Sequence, residues 1–497
     1  MLFNSYFFIF AFLPLVLFLF FFTAKHSRKL ALSVLFIASF IFYSWYNYFY
    51  GIILLFSISI NFFISKKIIE AEFQKIKKYF LCTGIIFNLG LLCYFKYVDF
   101  FIQNLSYLIH YQIDLFDVAL PIGISFFTFT QIAFLVDSYQ GLIKKYKFLN
   151  YALFVTYFPH LVAGPIIHHM EVMPQFEKSN IFKLHSRNLL IGLTLFSIGL
   201  FKKVVLADYL ANLVIPVFDT YSSHLSTTDA WIGALAYTFE LYFDFSGYSD
   251  MAIGLSLLFG IKLPVNFYSP YKSTNIIEFW RRWNMTLSRF LRNYLYISLG
   301  GNRKGPAKRY INLMITMLLG GLWHGASWTF VTWGCLHGIY LCINHGWIAL
   351  KKSLTIPLNN GYIASCLSRL ITFIAIVIAW VFFRSPDFTT AFHILQVMFL
   401  NVFTLPTSWY FRNMTQFFSI KTIVFSIFIS FAISWLFPNT YQLLSRFRTA
   451  LLIPKDYYLR RKLTWKPNLL WNSMTSILFV LGISFIQSSS TFLYFRF

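Results

Sequence analysis

Charged side chains are scarce in this chain. Asp, Glu, Lys and Arg make up 12% of its 497 residues, against roughly a quarter in a soluble globular domain. Acids are scarcer still, 17 against 41 Lys and Arg. A water-soluble fold could not hide a sequence that is 58% hydrophobic with a mean hydropathy of +0.64, so lipid is its natural solvent. Cysteine is nearly absent. Cys82, Cys93, Cys335, Cys342 and Cys366 are the whole set, and no two form a CxxC, which argues against a zinc site or a disulfide framework. There is no GxSxG elbow, no HExxH and no phosphate-binding P-loop, which removes several common enzyme classes. The apolar segment 6–23 lacks a basic n-region and a small-residue cleavage site, so it reads as a retained span rather than a signal peptide. No internal repeat or linker marks a second domain.

What the chain does have is aromatic and aliphatic runs. Its 63 phenylalanines and 31 tyrosines supply stiff packing surfaces and interface anchors. Spans are predicted near 6–23, 30–47, 50–65, 79–95, 118–136, 150–167, 189–206, 229–245, 309–322, 326–348, 368–384, 421–437 and 470–488. Each suits a hydrocarbon layer of about 30 Å, and the class is an all-α polytopic membrane protein. The net charge of +24 does not point to nucleic acid, because Lys and Arg cluster between apolar runs instead of forming one basic face. Lys25, Arg28 and Lys29, then 66–78, then Lys144, Lys145 and Lys147 read as successive cytoplasmic loops, with an external N-terminus. Arg446 to Lys466 forms another, and the final span carries the tail outside. The expected location is the inner (cytoplasmic) membrane, multi-pass.

The stretch 246–308 breaks the alternation. It holds Asp250, Lys262, Glu278, Arg281, Arg282, Arg289 and Arg292, which a lipid-facing span would not. Interfacial or re-entrant helices lining a cavity are expected there.

Several residues offer chemistry. His324 lies at a span boundary among Gly320, Gly321 and Gly325, with Trp323 beside it. A neutral imidazole in an apolar passage suits acceptance of a hydroxyl proton, although a helix-packing histidine fits the same local pattern. Upstream, Phe279 to Ser288 places Arg282, Arg289 and Arg292 near one face at helical spacing. With Arg281 they form a basic set that suits the phosphates of a coenzyme A-type donor or an acidic carrier, or equally lipid headgroups. Asn284 hydrogen-bonds but does not titrate. Asp244 and Asp250 flank Gly247 in or near a span, where a structural bond to a buried arginine is the favoured role. The glycine-rich loop 300–305 reads as a cytoplasmic turn more readily than a phosphate cradle. His224 and Asp229 form an HxxxxD spacing without supporting pattern, and His337 reads as a packing residue.

Taken in order, the motifs from about 118 to 345 resemble the membrane-bound O-acyltransferase superfamily. The branch they look most like holds alginate and peptidoglycan O-acetyltransferases and teichoic-acid D-alanyl transfer proteins. The resemblance is carried by 121–129, Ala163-Gly164-Pro165, 244–252, 279–288, 300–303, Trp323-His324-Gly325 and 380–384. It implies a fold of about 11–13 transmembrane or re-entrant helices around a central tunnel. It also implies one membrane domain over 1–497, with its catalytic core at about 118–345 and C-terminal spans and tail at 368–497. His324 becomes the essential residue. The branch usually places a second His where this chain has Asn284, as sterol and diacylglycerol acyltransferases do; His324 is then the only base, and Asn284 orients the donor carbonyl or stabilises an oxyanion. Branch members often end in an aromatic Tyr motif, which makes Tyr494 a candidate transient acyl acceptor or else an interface anchor. The implied reaction relays a short acyl group, most simply acetyl, from acetyl-CoA or an acyl carrier thioester across the membrane. The final acceptor is an extracytoplasmic polysaccharide, reached with an SGNH-type acetyltransferase partner. No tightly bound cofactor, metal or nucleic acid is implied. The rival readings are a lipid or sterol acyltransferase and a transporter with no covalent step.

Overall fold

In hydrocarbon each backbone N–H and C=O must find a partner inside its own segment, so apolar runs with few breakers become helices. The computed structural model describes residues 1–219, 225–354, 361–400, 420–454, 463–486 and 492–493. Helices dominate, and the only β contact among these residues is one isolated bridge between Pro264 and Leu451. Tyr48–Glu70, Gln74–Ile109, Ser186–Phe218 and Tyr362–Arg384 are long and apolar enough to cross a membrane by length and composition. Phe18, Phe56, Ile86 and Ile371 are exposed on these and neighbouring helices, as a lipid-facing surface requires.

Two expected spans change shape. The helix expected over 118–136 begins only at Ile124, because Gly123 takes a left-handed backbone (φ 75°) at its N-cap. The expected span 150–167 is two buried pieces, Phe148–Thr156 and Phe158–Leu161. They part at Tyr157, just ahead of Pro159, where ψ is 107°, and the proline cannot continue the hydrogen-bond ladder. The irregular region also starts later than 246. Thr227–Leu258 is one helix of 32 residues, so Asp250 belongs to it, and regular structure stops only near Gly260 (φ 74°). A short helix expected nowhere, Phe388–Phe399, follows the last long span.

Thr227–Leu258 is the axis of the bundle, buried along nearly its whole length. It runs antiparallel to Ser186–Phe201, and glycines set the spacing. A Cβ on Gly199 would lie 2.5 Å from the Gly247 carbonyl oxygen, and one on Gly254 2.6 Å from that of Gly192. Small residues at helix crossings in lipid allow this approach. The same device recurs between Gly305–His324 and Trp328–Ser353: a Cβ on Gly321 would meet the Phe330 carbonyl oxygen at 2.3 Å, and one on Gly334 that of Met317 at 2.3 Å.

Among the described residues four helices contain a π-helical turn: Phe8–Phe12, Cys93–Tyr97, Lys202–Ala207 and Leu291–Tyr296. Such turns re-aim side chains and recur at functional positions.

Candidate active site

Gly305–His324 ends at the histidine because Gly325 turns the backbone extended. The glycine crossing with Trp328–Ser353 brings the His324 ring against Trp333 (4.9 Å between centroids), Trp323 (4.9 Å) and Phe383 (5.1 Å). His324 is 5% exposed. Its wall is therefore aromatic. On the far side of Trp333 sits His337, fully buried, with its Nδ1 facing the Trp280 indole N–H at 3.3 Å. An indole only donates, so this Nδ1 accepts. His337 thus packs, as expected, but in the same aromatic cluster as His324.

A cleft close to the imidazole is lined by the neighbouring Trp323 together with Lys96, Val162 and 120–126. Trp323, stacked on Phe129 at 5.2 Å, lines that cleft and also packs against the imidazole at 4.9 Å.

Asn284 is buried between Ile276–Trp280 and Met285–Phe290, in a left-handed backbone (φ 39°, ψ 55°). Asn and His are among the few non-glycine residues enriched there. His324 ends a different helix from the one that Asn284 caps. The two are connected through rings, from Trp283 to Trp380 (5.0 Å), to Trp333 (5.7 Å), to His324.

The break at Asn284 also overturns the single basic face. Arg282 lies in the turn that follows Ile276–Trp280 and Arg289 on Met285–Phe290, and each is occupied, Arg282 by Glu278 (2.7 Å) and Arg289 by both oxygens of Glu171. Arg281 and Arg292 are exposed.

Asp244 and Asp250 pair with lysines, not with the expected arginine. Lys203 Nζ lies 2.6 Å from Asp244 and Lys202 Nζ 2.7 Å from Asp250. The π turn at Lys202–Ala207 is what lets consecutive lysines both face the axial helix. Leu493 N–H also donates to Asp244 at 3.3 Å, and Lys203 sits over the Phe492 ring. Tyr494 and His224 lie outside the described residues. Asp229 closes a capping box with Ser226, which gives that aspartate a structural role.

At the other end of Ile124–Tyr139, about 20 Å away at 1.5 Å per residue, Asp137 accepts from Tyr294 and meets His168 Nε2 and His169 Nδ1, both at 2.9 Å. The three donor atoms lie within 4.8 Å of one another, close enough to hold a metal ion. His168 Nδ1 accepts from the Met170 N–H, however, which leaves its Nε2 protonated as a donor to Asp137. The cluster is a satisfied hydrogen-bond network.

Comparison with known proteins decides what this scaffold is. The model of the membrane-bound O-acyltransferase family matches residues 83–384. The chain is 44% identical over 427 residues to a peptidoglycan O-acetyltransferase of Helicobacter pylori, covering 80% of each.

The chain belongs to the membrane-bound O-acyltransferase family.

It is also 40% identical over 406 residues to a protein named probable alginate O-acetylase from Pseudomonas aeruginosa, covering 80% of this chain and 75% of that one. With a teichoic acid D-alanyltransferase of Bacillus subtilis it shares 27% identity over 276 residues. As a family member it is an acyltransferase embedded in a membrane. The matched region begins at 83 and so includes Lys96 and Tyr97, which sequence reading passed over because they looked like the end of one more span. Lys203 was missed likewise. Its signal was two adjacent lysines inside a predicted span, in a chain whose next span carries two aspartates.

Proposed function

We propose that this acyltransferase moves an acetyl or other short acyl group from a cytoplasmic thioester, acetyl-CoA or an acyl carrier, to an extracytoplasmic polysaccharide, with His324 as the base. The imidazole accepts the proton of the attacking hydroxyl as its oxygen bonds to the thioester carbonyl carbon. The C–S bond then breaks, and the departing thiolate takes the proton back from the imidazolium. Asn284 orients the donor carbonyl. Transfer requires the Trp323 ring to swing and join the adjoining cleft to the imidazole. Arg281 and Arg292, the two exposed cations of the upstream motif, meet the donor's negative charge. Tyr494 takes the group at the outer face and an SGNH-type partner completes esterification. The membrane is the inner one.

The observation that supports this most is an imidazole at the end of a helix, walled by aromatic rings, with a cleft one side chain away. In cells whose polymer acetylation depends on this protein, His324→Ala and His324→Gln should insert normally and reduce ester content by about 10²-fold or more. Polymer ester at the wild-type level in either variant rules His324 out as the base. Ester appearing in membrane lipid instead of polymer would transfer the assignment to lipid acylation.

A further inference from the structure

A helix leaves its last four carbonyls without partners inside the helix. Three of these carbonyls are met from one distant turn. Tyr97 Oη donates to the Leu322 carbonyl at 2.9 Å, and Lys96 Nζ donates to those of Trp323 (2.7 Å) and His324 (2.9 Å). Adjacent residues on an ordinary helix diverge by about 100°. Here Lys96 and Tyr97 lie in the π turn Cys93–Tyr97, and both reach the same helix end. Lys96 forms no salt bridge with a carboxylate among the described residues. Its charge is set against the partial negative charge of the helix C-terminus. It also lines the cleft beside Trp323.

A glycine-based cap would satisfy carbonyls without placing a cation in a low-dielectric site. The ammonium does something such a cap does not: it grips the backbone of His324 itself and of Trp323, the ring that lines the cleft and packs on the imidazole. We propose that Lys96 is a positioning residue for transfer, fixing the His324 ring and the Trp323 ring through their backbone oxygens, with Tyr97 as its auxiliary. The inference rests on His324 being the base. Without the ammonium the end of the helix frays, the imidazole leaves its aromatic seat, and the geometry of attack is lost while the bundle remains assembled.

The test measures polymer ester per unit of folded protein, the latter quantified by an N-terminal fluorescent fusion and size-exclusion. Lys96→Met should lower ester formation about a hundredfold, the cost of a misplacement of about 1 Å, with the thermal midpoint little changed. Lys96→Arg, which can still donate to both carbonyls, should recover most of it. Tyr97→Phe should cost roughly fivefold, the equivalent of one hydrogen bond. If Lys96→Met does not accumulate, Lys96→Gln, which keeps a donor without the charge, should accumulate and still lose about tenfold. Wild-type ester per folded protein in Lys96→Met or Lys96→Gln overturns the proposal, as does an Arg variant no better than Met. His324→Ala is run alongside. If it stays active the base assignment fails; if it is inactive while Lys96→Met is active, only the Lys96 inference fails.

Discussion

Two antiparallel helix pairs in this protein begin with the same contact and then diverge. Ser186–Phe201 with Thr227–Leu258, and Gly305–His324 with Trp328–Ser353, are both drawn together by glycines whose Cβ positions are already taken by the opposing backbone. Beyond that contact the first pair is tied by charge, Lys202 to Asp250 and Lys203 to Asp244. The second is filled with rings around His324 and His337. The contrast separates two tasks. Buried ion pairs fix register and tolerate nothing nearby that competes for charge. A site proposed to accept and return a proton is better served by aromatic walls, with Lys96 held on backbone oxygens.

The difference can be broken from either side. The largest effect on stability is expected at Lys203→Met, which removes the buried cation that meets both Asp244 and Asp208. Losing one partner of a buried pair typically costs about 3–5 kcal/mol. Thermal unfolding in detergent should show it, and adding Asp244→Asn should recover part of the loss. A smaller effect sharpens the comparison directly. Gly199→Ala and Gly321→Ala introduce similar clashes, each expected to cost about 1–3 kcal/mol. The first should lower only the unfolding midpoint. The second should in addition reduce ester formation by more than the lost folded fraction explains, because it displaces the helix that bears His324; equal activity per folded molecule in the two variants would remove the distinction. The smallest effect is expected at Asn284. Asn284→Ala places an ordinary side chain in a left-handed backbone at a cost of about 1–2 kcal/mol, whereas Asn284→His should be nearly neutral in unfolding measurements.

That last pair bears on how much could be read beforehand. The alternation of apolar runs and basic loops foretold most helices, because in lipid hydropathy and helix formation are nearly the same statement. The motif set foretold the family and put His324 forward as the base. It did not foretell that Asn284 sits where the backbone admits Asn and His alike, which gives the substitution a conformational reason separate from chemistry. The basic face failed because regular periodicity was assumed across 279–292, and one left-handed residue cancels periodicity. The arginine expected for Asp244 and Asp250 proved to be lysine, since spacing along one helix says nothing of which cation a neighbouring helix brings. Lys96 was illegible for a related reason: its partners are main-chain oxygens some 227 residues away, and backbone atoms leave no trace in side-chain patterns.

The π turns carry a consequence for chain length. Each one holds a residue more than an ideal helix would need over the same rise. Deleting a single residue within Lys202–Ala207 would restore ordinary winding and leave the flanking helix in phase, but the wide turn that presents the two lysines would be lost. Lys202 and Lys203 would then swing away from their aspartates although every amino acid involved was still present. Insertions and deletions should therefore be borne by the connecting loops, while these few helical positions hold their count fixed.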